Sequence, residues 1–180
     1  MPPDLRPDVD SLRPAAVLVP LVERETGLTV LLTRRTDTLP EHPGQVAFPG
    51  GRHEPSDRDL VHTALRETAE EIGLGEEFIS IAGFLPPYMT ITRYSVTPVV
   101  GFVRPGFKLV ADPTEVDQIF EVPLEFLLDR SNIRREEREF KGQVVGYYVI
   151  DYRDDAAEYR IWGATAAMLV DFIARLDAQA

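Results

Sequence analysis

Residues 48–74 read FPGGRHEPSDRDLVHTALRETAEEIGL. Near the end of this segment, an arginine and three carboxylates occupy less than two helical turns: Arg66, Glu67, Glu70 and Glu71. On a helix the three carboxylates cover an arc of roughly 100°. They repel one another and lie close to the negative end of the helix dipole, which disfavours them. Acids held together against that cost predict a site for a divalent cation, and oxygen-only ligands favour Mg²⁺ or Mn²⁺ over Zn²⁺.

The helix that carries these acids has recognisable ends. Ser56 can cap its N-terminus, Asp57 and Asp59 suit the positive end of the dipole, and Gly73 can end it. One stripe is expected to face the core: Val61, Leu65, Thr68 and Ile72. The three carboxylates are therefore predicted to lie on a face turned away from the core.

The segments before this helix offer groups that suit a phosphate. Gly50 and Gly51 have no side chains, so their backbone can approach a phosphate closely. Arg34 and Arg35, at the end of a predicted strand, are the natural cations for such a group. Alternation along the strand places the two arginines on opposite faces, so one of them can instead pair with a surface acid.

The remaining pattern predicts an α/β protein. Residues 1–14 are rich in Pro and Asp and are expected to form a loose arm, followed by a single domain over residues 15–180. Strands are predicted over 15–22, 28–33, 78–85, 95–103, 119–122 and 144–152. Further helices are predicted over 123–129 and 163–180. Strands flank helices without regular alternation, which indicates a mixed sheet packed between helices.

Other residues are expected to be structural. A hairpin turn is predicted at 141–143, the charged segment 135–139 is predicted to be a solvated surface, and Trp162 is predicted to lie in the core. Since oxygen ligands are already at hand, His53 and His62 are expected on the surface. His42 is at most a contact in a substrate loop.

Composition excludes several classes of function. With 19 Lys and Arg against 30 Asp and Glu, the net charge is −11, and such a surface repels nucleic acid. The chain has no cysteine, which excludes disulfides and thiolate chemistry. The apolar run 15–22 is too short for a membrane span, and the basic start of a signal peptide is absent. We therefore expect a cytoplasmic protein that binds neither nucleic acid nor membrane.

The helical segment resembles the Nudix box, the signature of hydrolases that split diphosphates linked to another moiety. That box runs Gly, five residues, Glu, seven residues, then Arg-Glu-aliphatic-any-Glu-Glu-any-Gly-aliphatic. Its second half matches at Arg66, Glu67, Glu70, Glu71, Gly73 and Leu74. The first half departs from it, because the acid five residues after Gly51 is Asp57 and eight residues precede Arg66. Thr68 also replaces the usual aliphatic residue.

The resemblance implies a fold and residue roles. The fold is a Nudix-type α/β/α sandwich with a mixed sheet between helices. The predicted metal ligands are Glu67, Glu70 and Glu71, with the first and last the most dependable. The predicted catalytic residues are Arg66, Glu70 and Glu115. Of these, Arg66 is expected to orient a carboxylate. Glu115 resembles the additional acid that Nudix enzymes bring from a later loop, and it can equally be a solvated loop acid.

A second motif points to the substrate. Residues 31–51, LLTRRTDTLPEHPGQVAFPGG, are similar to the additional motif of the coenzyme A pyrophosphatase branch. The match holds at Leu31, Leu32, Thr33, Arg35, Gly44, Phe48, Pro49, Gly50 and Gly51, whereas Thr36 and Pro40 depart from it. This implies hydrolysis of coenzyme A or acyl-CoA to 3′,5′-ADP and a 4′-phosphopantetheine fragment, with Arg35 as a phosphate ligand.

Two other functions stay open. Pro40 stands where the branch has a basic residue, so the same chemistry on ADP-ribose, a dinucleotide or a nucleoside triphosphate is the alternative. A non-catalytic Nudix module that senses a nucleotide is less favoured, because such modules often lose glutamates of the box and this chain keeps all three.

Overall fold

The structure of the protein, a computed structural model, describes residues 11–140 and 142–178. Two β-sheets and three α-helices form this part of the chain. The strands are β1 (Arg13–Arg24), β2 (Gly27–Arg35), β3 (Val46–Ala47), β4 (Gly50–Arg52), β5 (Ile79–Phe84), β6 (Tyr88–Met89), β7 (Tyr94–Val103), β8 (Val116–Pro123), β9 (Ile133–Phe140), β10 (Gln143–Arg153) and β11 (Glu158–Trp162). The helices are α1 (Leu60–Ile72), α2 (Leu124–Leu128) and α3 (Gly163–Asp177).

The larger sheet is mixed, as predicted. Its main path runs β3-β2-β1-β7-β5, and β4, β6 and β8 pair with β1, β7 and β2. β1 and β7 are parallel, while the other pairs in this sheet are antiparallel. Most of β1 is buried, because elements cover both faces of the sheet, and this explains why its sequence is a nearly continuous apolar run.

Helices cover both faces of this sheet, which confirms the predicted sandwich. On one face, Ala64 of α1 packs against Ala16, Leu18 and Val99. The main core fills the other face, where sheet residues meet α3 and the smaller sheet; its members include Val19, Val30, Leu32, Ile150, Ile161, Leu169, Phe172 and Ile173. α1 and α3 therefore lie on opposite sides of β1.

The smaller sheet, in the order β11-β10-β9, packs on the α3 side. Its ring of Tyr159 stacks on Phe120 of β8, with centroids 3.6 Å apart. The antiparallel pairing of β9 with β10 confirms the predicted hairpin. The segment 135–139 is exposed as predicted, yet it lies within strand β9. The sequence does not indicate this strand, because its charged residues show no apolar alternation.

Trp162 is not in the core, so that prediction is wrong. Alternation along β11 turns Tyr159 and Ile161 inward and leaves Trp162 half-buried on the outer face. There its ring meets that of Tyr147 edge-on, with centroids 5.9 Å apart.

The predicted boundaries at both ends need adjustment. Most of the predicted arm, residues 1–10, lies outside the described residues. β1 begins at Arg13, so Arg13 and Pro14 belong to a strand rather than to an arm. The last helix is confirmed over Gly163–Asp177. Of the helices that the structure describes, none combines the length and the apolar character needed to cross a bilayer.

Candidate functional site

Helix α1 begins later than predicted. Its N-cap is Asp59, whose carboxylate accepts a hydrogen bond from the N–H of His62 at 2.8 Å, and not Ser56. Gly73 ends the helix as predicted, with φ 68° and its N–H bonded to the carbonyl of Ala69. The start shifts because the segment before Asp59 folds as a turn that buries Asp57.

The three glutamates do not share one exposed face, which corrects the prediction. Glu71 is buried, with 5% of its surface exposed, whereas the side chain of Glu70 is 61% exposed. Glu67 lies between these extremes, one turn before Glu71. The stripe that faces the sheet includes Ala64, Thr68, Glu71 and Ile72. Two carboxylates, of Glu67 and Glu71, therefore face the body of the protein.

Gly50 and Gly51 make room for these carboxylates. The N–H of Gly50 donates a hydrogen bond to Oε2 of Glu71 at 3.2 Å. A Cβ on Gly51 would lie 2.5 Å from Cδ of Glu67, so the carboxylate rests directly on the glycine. Gly50 has φ 150°, and a Cβ there would lie 2.4 Å from the backbone oxygen of Ala16. In the structure Gly50 and Gly51 contact the two glutamates. Contact of these glycines with a phosphate stays a prediction.

Arg66 is fixed by a buried acid. Asp57 has a fully buried side chain, and its two carboxylate oxygens accept hydrogen bonds from Nε and Nη2 of Arg66 at 2.9 and 3.0 Å. The same carboxylate accepts from Thr63 Oγ1 and from the N–H of Glu54, each at 2.9 Å. The Arg66 guanidinium holds the pKa of Asp57 well below its usual range, because its hydrogen bonds outweigh the burial of the carboxylate.

Arg66 in turn pairs with Glu70, as predicted, and it also pairs with Glu67. Its Nη1 lies 2.9 Å from Oε2 of Glu70, and its Nη2 lies 3.0 Å from Oε1 of Glu67. Asp57 therefore holds the arginine that positions these glutamates, a contact that the sequence pattern did not predict. The signal for it was its place, five residues after Gly51, at the acid of the first half of the box.

The histidines near Asp57 are not simple surface residues, which corrects their predicted place. His62 Nδ1 lies 3.1 Å from Oδ1 of Asp57, and His53 Nδ1 lies 2.9 Å from Oγ1 of Thr63. Both rings are half-buried and complete the network around this acid. His42 is exposed, in the loop between β2 and β3, and contacts Gln45 at 3.0 Å.

The loop before β8 brings Glu115 to the end of α1. The N–H of Asp112 donates to the carbonyl of Glu71, and the N–H of Thr36 donates to the carbonyl of Glu115, both at 2.9 Å. Glu115 is exposed, and its charge raises the pKa of both Glu67 and Glu71. Glu115 therefore lies close enough to Glu67 and Glu71 for its charge to act on both.

These acids are short of positive charge. Burial raises the pKa of Glu71 to about 8; the hydrogen bond from Gly50 opposes this rise, and the charges of Glu115 and Glu67 add to it. Burial also raises the pKa of Glu67, against the effect of Arg66. Buried acids that repel one another are the surroundings in which a bound cation is favourable.

Arg34 and Arg35 point to opposite faces, as predicted. Arg34 Nε donates to Oδ2 of Asp117 at 2.9 Å, so Arg34 is the arginine that pairs with a surface acid. Arg35 lies on the side of the carboxylates, where its charge lowers the pKa of Glu71. Its buried Nε has no hydrogen-bond partner among the described residues. Of the two, only Arg35 lies near the glutamates with a donor to spare.

The residues present fit a divalent cation by chemistry rather than by a ready-made cage. Within residues 11–140 and 142–178, no three His, Asp or Glu side chains are arranged to hold a metal ion. Glu67 contacts Arg66 instead, and Glu71 contacts Gly50. The donor set still suits Mg²⁺ or Mn²⁺, since it is made of carboxylate oxygens and includes a buried acid whose charge is poorly compensated.

Comparisons with known proteins agree with the fold and the motif. The NUDIX domain profile matches residues 12–142. The mitochondrial Nudix hydrolase 15 of Arabidopsis thaliana is 40% identical over 171 residues, which cover 92% of this chain and 60% of that protein. NudL of Photorhabdus laumondii, an uncharacterized Nudix hydrolase, is 40% identical over 169 residues, which cover 94% of this chain and 88% of that protein.

A solved structure shares the fold at low sequence identity. The crystal structure of a C. elegans Ap4A hydrolase binary complex has a TM-score of 0.54 and 22% identity, over 62% of this chain and 80% of that one. The chain spans less than two thirds of the Arabidopsis relative but most of NudL. On the domain match and the identity to NudL, the chain belongs to the Nudix hydrolase family.

Proposed function

We propose that the protein is a diphosphatase that depends on Mg²⁺ or Mn²⁺ and hydrolyses the diphosphate bond of coenzyme A or acyl-CoA. The products would be 3′,5′-ADP and a 4′-phosphopantetheine fragment. The observation that carries the proposal is the meeting of Glu67, Glu71 and Glu115 beside Arg35, in a chain of the Nudix family. A single site then offers carboxylates for a cation and an unengaged guanidinium nitrogen for a phosphate.

Each residue has a distinct task in this proposal. Glu67 and Glu71 would hold the cation, with Glu70 as a third ligand, and the bound cation would screen the diphosphate charge and acidify a water. Arg66 keeps Glu67 and Glu70 in place. Glu115, which is exposed, accepts the proton of the attacking water on a carboxylate oxygen while the bridging P–O bond breaks.

Arg35 and the glycine turn would bind the substrate. Arg35 donates to a phosphate oxygen, and Gly50 and Gly51 line the same site. Arg34 contributes only if the substrate displaces Asp117, because that acid holds its guanidinium. The preference for coenzyme A rests on the motif over residues 31–51.

The alternative is the same chemistry on another diphosphate. Pro40 supports it, because the coenzyme A motif has a basic residue at that position. A dinucleotide, ADP-ribose or a nucleoside triphosphate would then be the substrate. The solved Ap4A hydrolase shares the fold of this chain, but a shared fold does not decide the substrate. The choice among these substrates therefore needs an experiment.

Product analysis tests both the reaction and the substrate. With coenzyme A, Mg²⁺ and ¹⁸O-labelled water, mass spectrometry is expected to show 3′,5′-ADP and labelled oxygen on one product. Chelation by EDTA should abolish turnover, and Mg²⁺ or Mn²⁺ should restore it. Turnover that persists in EDTA contradicts the metal role. A higher kcat/KM for ADP-ribose or NADH than for coenzyme A contradicts the narrower substrate.

Gly51→Ala tests the seat of Glu67. The new Cβ would lie 2.5 Å from Cδ of Glu67, which is too close for two atoms that are not bonded. The carboxylate of Glu67 must therefore move. We expect kcat/KM to fall by more than about 10-fold, as changes around metal ligands do. Gly83→Ala is the matched control, since a Cβ there meets no atom within 4 Å. Equal turnover of the two variants would show that the position of Glu67 does not matter.

A further inference from the structure

A strap without helix or strand, residues 104–115, connects β7 to β8 and crosses the end of α1. Every second residue in its middle part is apolar and packs against the core cluster that contains Ile72: Phe107, Leu109 and Ala111. Between them, the N–H of Val110 donates to the carbonyl of Ile72 at 2.9 Å. The strap therefore satisfies backbone groups at the end of α1 that have no partner within the helix.

The strap ends in a tight turn over residues 112–115. The N–H of Glu115 donates to the carbonyl of Asp112 at 3.1 Å. The side chain of Asp112 closes the turn, because its Oδ1 accepts from the N–H and the hydroxyl of Thr114 at 2.8 and 2.7 Å. Asp at the first position of a turn and Pro at the second favour this geometry. The carboxylate of Asp112 therefore holds the turn that presents Glu115.

Backbone contacts tie this turn to both halves of the site. On one side, the N–H of Asp112 donates to the carbonyl of Glu71 at 2.9 Å. On the other, the N–H of Thr36 donates to the carbonyl of Glu115 at 2.9 Å, and its Oγ1 donates to the carbonyl of the preceding residue at 3.3 Å. Thr36 directly follows Arg35 in the chain. The turn therefore connects the helix of the carboxylates to the strand end that carries the proposed phosphate ligand.

The carboxylate of Glu115 depends on the turn for its position. It is exposed and accepts no hydrogen bond from a described residue. Glu67 and Glu70 differ in this respect, because Arg66 holds both of them. The backbone of the turn is therefore what keeps the Glu115 carboxylate near Glu67 and Glu71.

We propose that Asp112 is a positioning residue, whose side chain holds the turn that places Glu115 for the reaction and links it to Glu71 and Arg35. The inference rests on the proposed role of Glu115 as the proton acceptor. A reacting group that moves by about 1 Å can lose roughly 100-fold in rate, so a side chain that never touches the substrate can govern kcat. Because Asp112 acts on the position of the base, substrate binding should change little.

Steady-state kinetics with the diphosphate that the wild type hydrolyses fastest test this role. Asp112→Ala removes the acceptor for Thr114 and is expected to lower kcat by about 10-fold or more with little change in KM. Asp112→Asn should restore kcat towards the wild-type value, because its amide oxygen still accepts from Thr114.

Asp129→Ala is the matched control, because Asp129 closes a similar turn elsewhere. Its Oδ1 accepts from the N–H of Ser131 at 2.9 Å, and its carbonyl accepts from the N–H of Asn132 at 3.0 Å. It follows α2, beyond the end of β8 that is opposite to Glu115. The control should keep the kcat of the wild type. If Asp112→Ala and Asp129→Ala have equal kcat values, the proposal is overturned.

A double-variant cycle shows whether Asp112 acts through Glu115. In the Glu115→Gln background, adding Asp112→Ala should cost less than about 2-fold in kcat, because both changes remove one function. A further loss as large as in the wild-type background overturns the proposal. So does a Glu115→Gln variant with the kcat of the wild type, although hydrolysis itself would then stand.

Amide hydrogen exchange tests the turn without any turnover. The amides of Thr36, Asp112 and Glu115 should lose protection in Asp112→Ala and keep it in Asp112→Asn. Amides of β1 should be unchanged, which distinguishes local opening of the turn from loss of the fold. If the wild type hydrolyses no diphosphate, the proposed function fails, and exchange alone decides the positioning. Unchanged exchange at Thr36 and Glu115 in Asp112→Ala then overturns it.

Discussion

Glu71→Gln is expected to reduce kcat/KM by more than about 100-fold while the fold persists. Replacing residues that merely support metal ligands costs 10–100-fold, and Glu71 is itself a proposed ligand. Its carboxylate is buried, it faces Glu67 and Glu115, and a single backbone N–H, from Gly50, donates to it. A neutral amide would keep that contact but lose the charge that attracts a cation.

The same substitution is expected to stabilise the metal-free protein. Burial raises the pKa of Glu71 from 4.5 to about 8, so the folded state binds its proton more tightly than the unfolded state does. The wild type therefore loses stability relative to the variant as pH rises from about 4.5 to about 8, and the full difference is present above that range. Thermal unfolding in EDTA at several pH values measures it.

Opposite signs in activity and stability distinguish a functional acid from a structural one. Glu76→Gln, an exposed acid soon after α1, is the matched control and should change neither quantity. Unchanged turnover of Glu71→Gln in an assay saturated with Mg²⁺ would refute the proposed role of Glu71. A lower stability of this variant in EDTA would instead make Glu71 a structural residue.

The parts of the fold that the sequence predicts are those with strong local patterns. β1 and β7 are apolar almost throughout because both faces of the sheet are covered, and α1 shows its acids and its terminal Gly73 directly. Beyond the hairpin turn, β9 escaped prediction, and so did β11 and the short strands β3, β4 and β6. β9 carries charges on both faces, and β11 is short, so neither shows a period that distinguishes a strand from a loop.

The motif predicts which residues would form the site, but it does not predict their geometry. The motif names Glu67, Glu70 and Glu71, yet it cannot show that Glu71 is buried and Glu70 is exposed. That difference comes from contacts with β4, about twenty residues earlier, where Gly50 donates to Glu71. Periodicity describes one helix alone, whereas burial depends on the element that packs against it.

Asp57 shows the same limit from the opposite direction. From the sequence alone, Asp57 is an acid just before a helix, where the positive end of the helix dipole favours it. Its actual role depends on Arg66, more than two turns away, and on Thr63 between them. Only the folded arrangement shows that one buried carboxylate holds the arginine that positions two glutamates.

Asp57→Ala is expected to lower the free energy of unfolding by about 3–5 kcal/mol, the usual cost when one partner of a buried ion pair is removed. Arg66 would lose two hydrogen bonds and its hold on Glu67, so turnover should fall as well. Asp57→Asn should cost less, because an amide still accepts from Arg66. Urea denaturation and steady-state kinetics on the same preparations measure both effects.

The pH dependence of this variant identifies the charge as the cause. The folded pKa of Asp57 lies below its ordinary value of 3.8, so its stabilising effect is complete above that value and is lost as pH falls towards the folded pKa. The stability gap between wild type and Asp57→Asn should therefore shrink as pH falls below about 4. Asp171→Ala removes an acid that pairs with Arg175 on the exposed face of α3, and should cost less than about 1 kcal/mol. If the two alanine variants were equally stable, the buried pair would contribute no more than a surface pair, and Asp57 could not be what fixes Arg66.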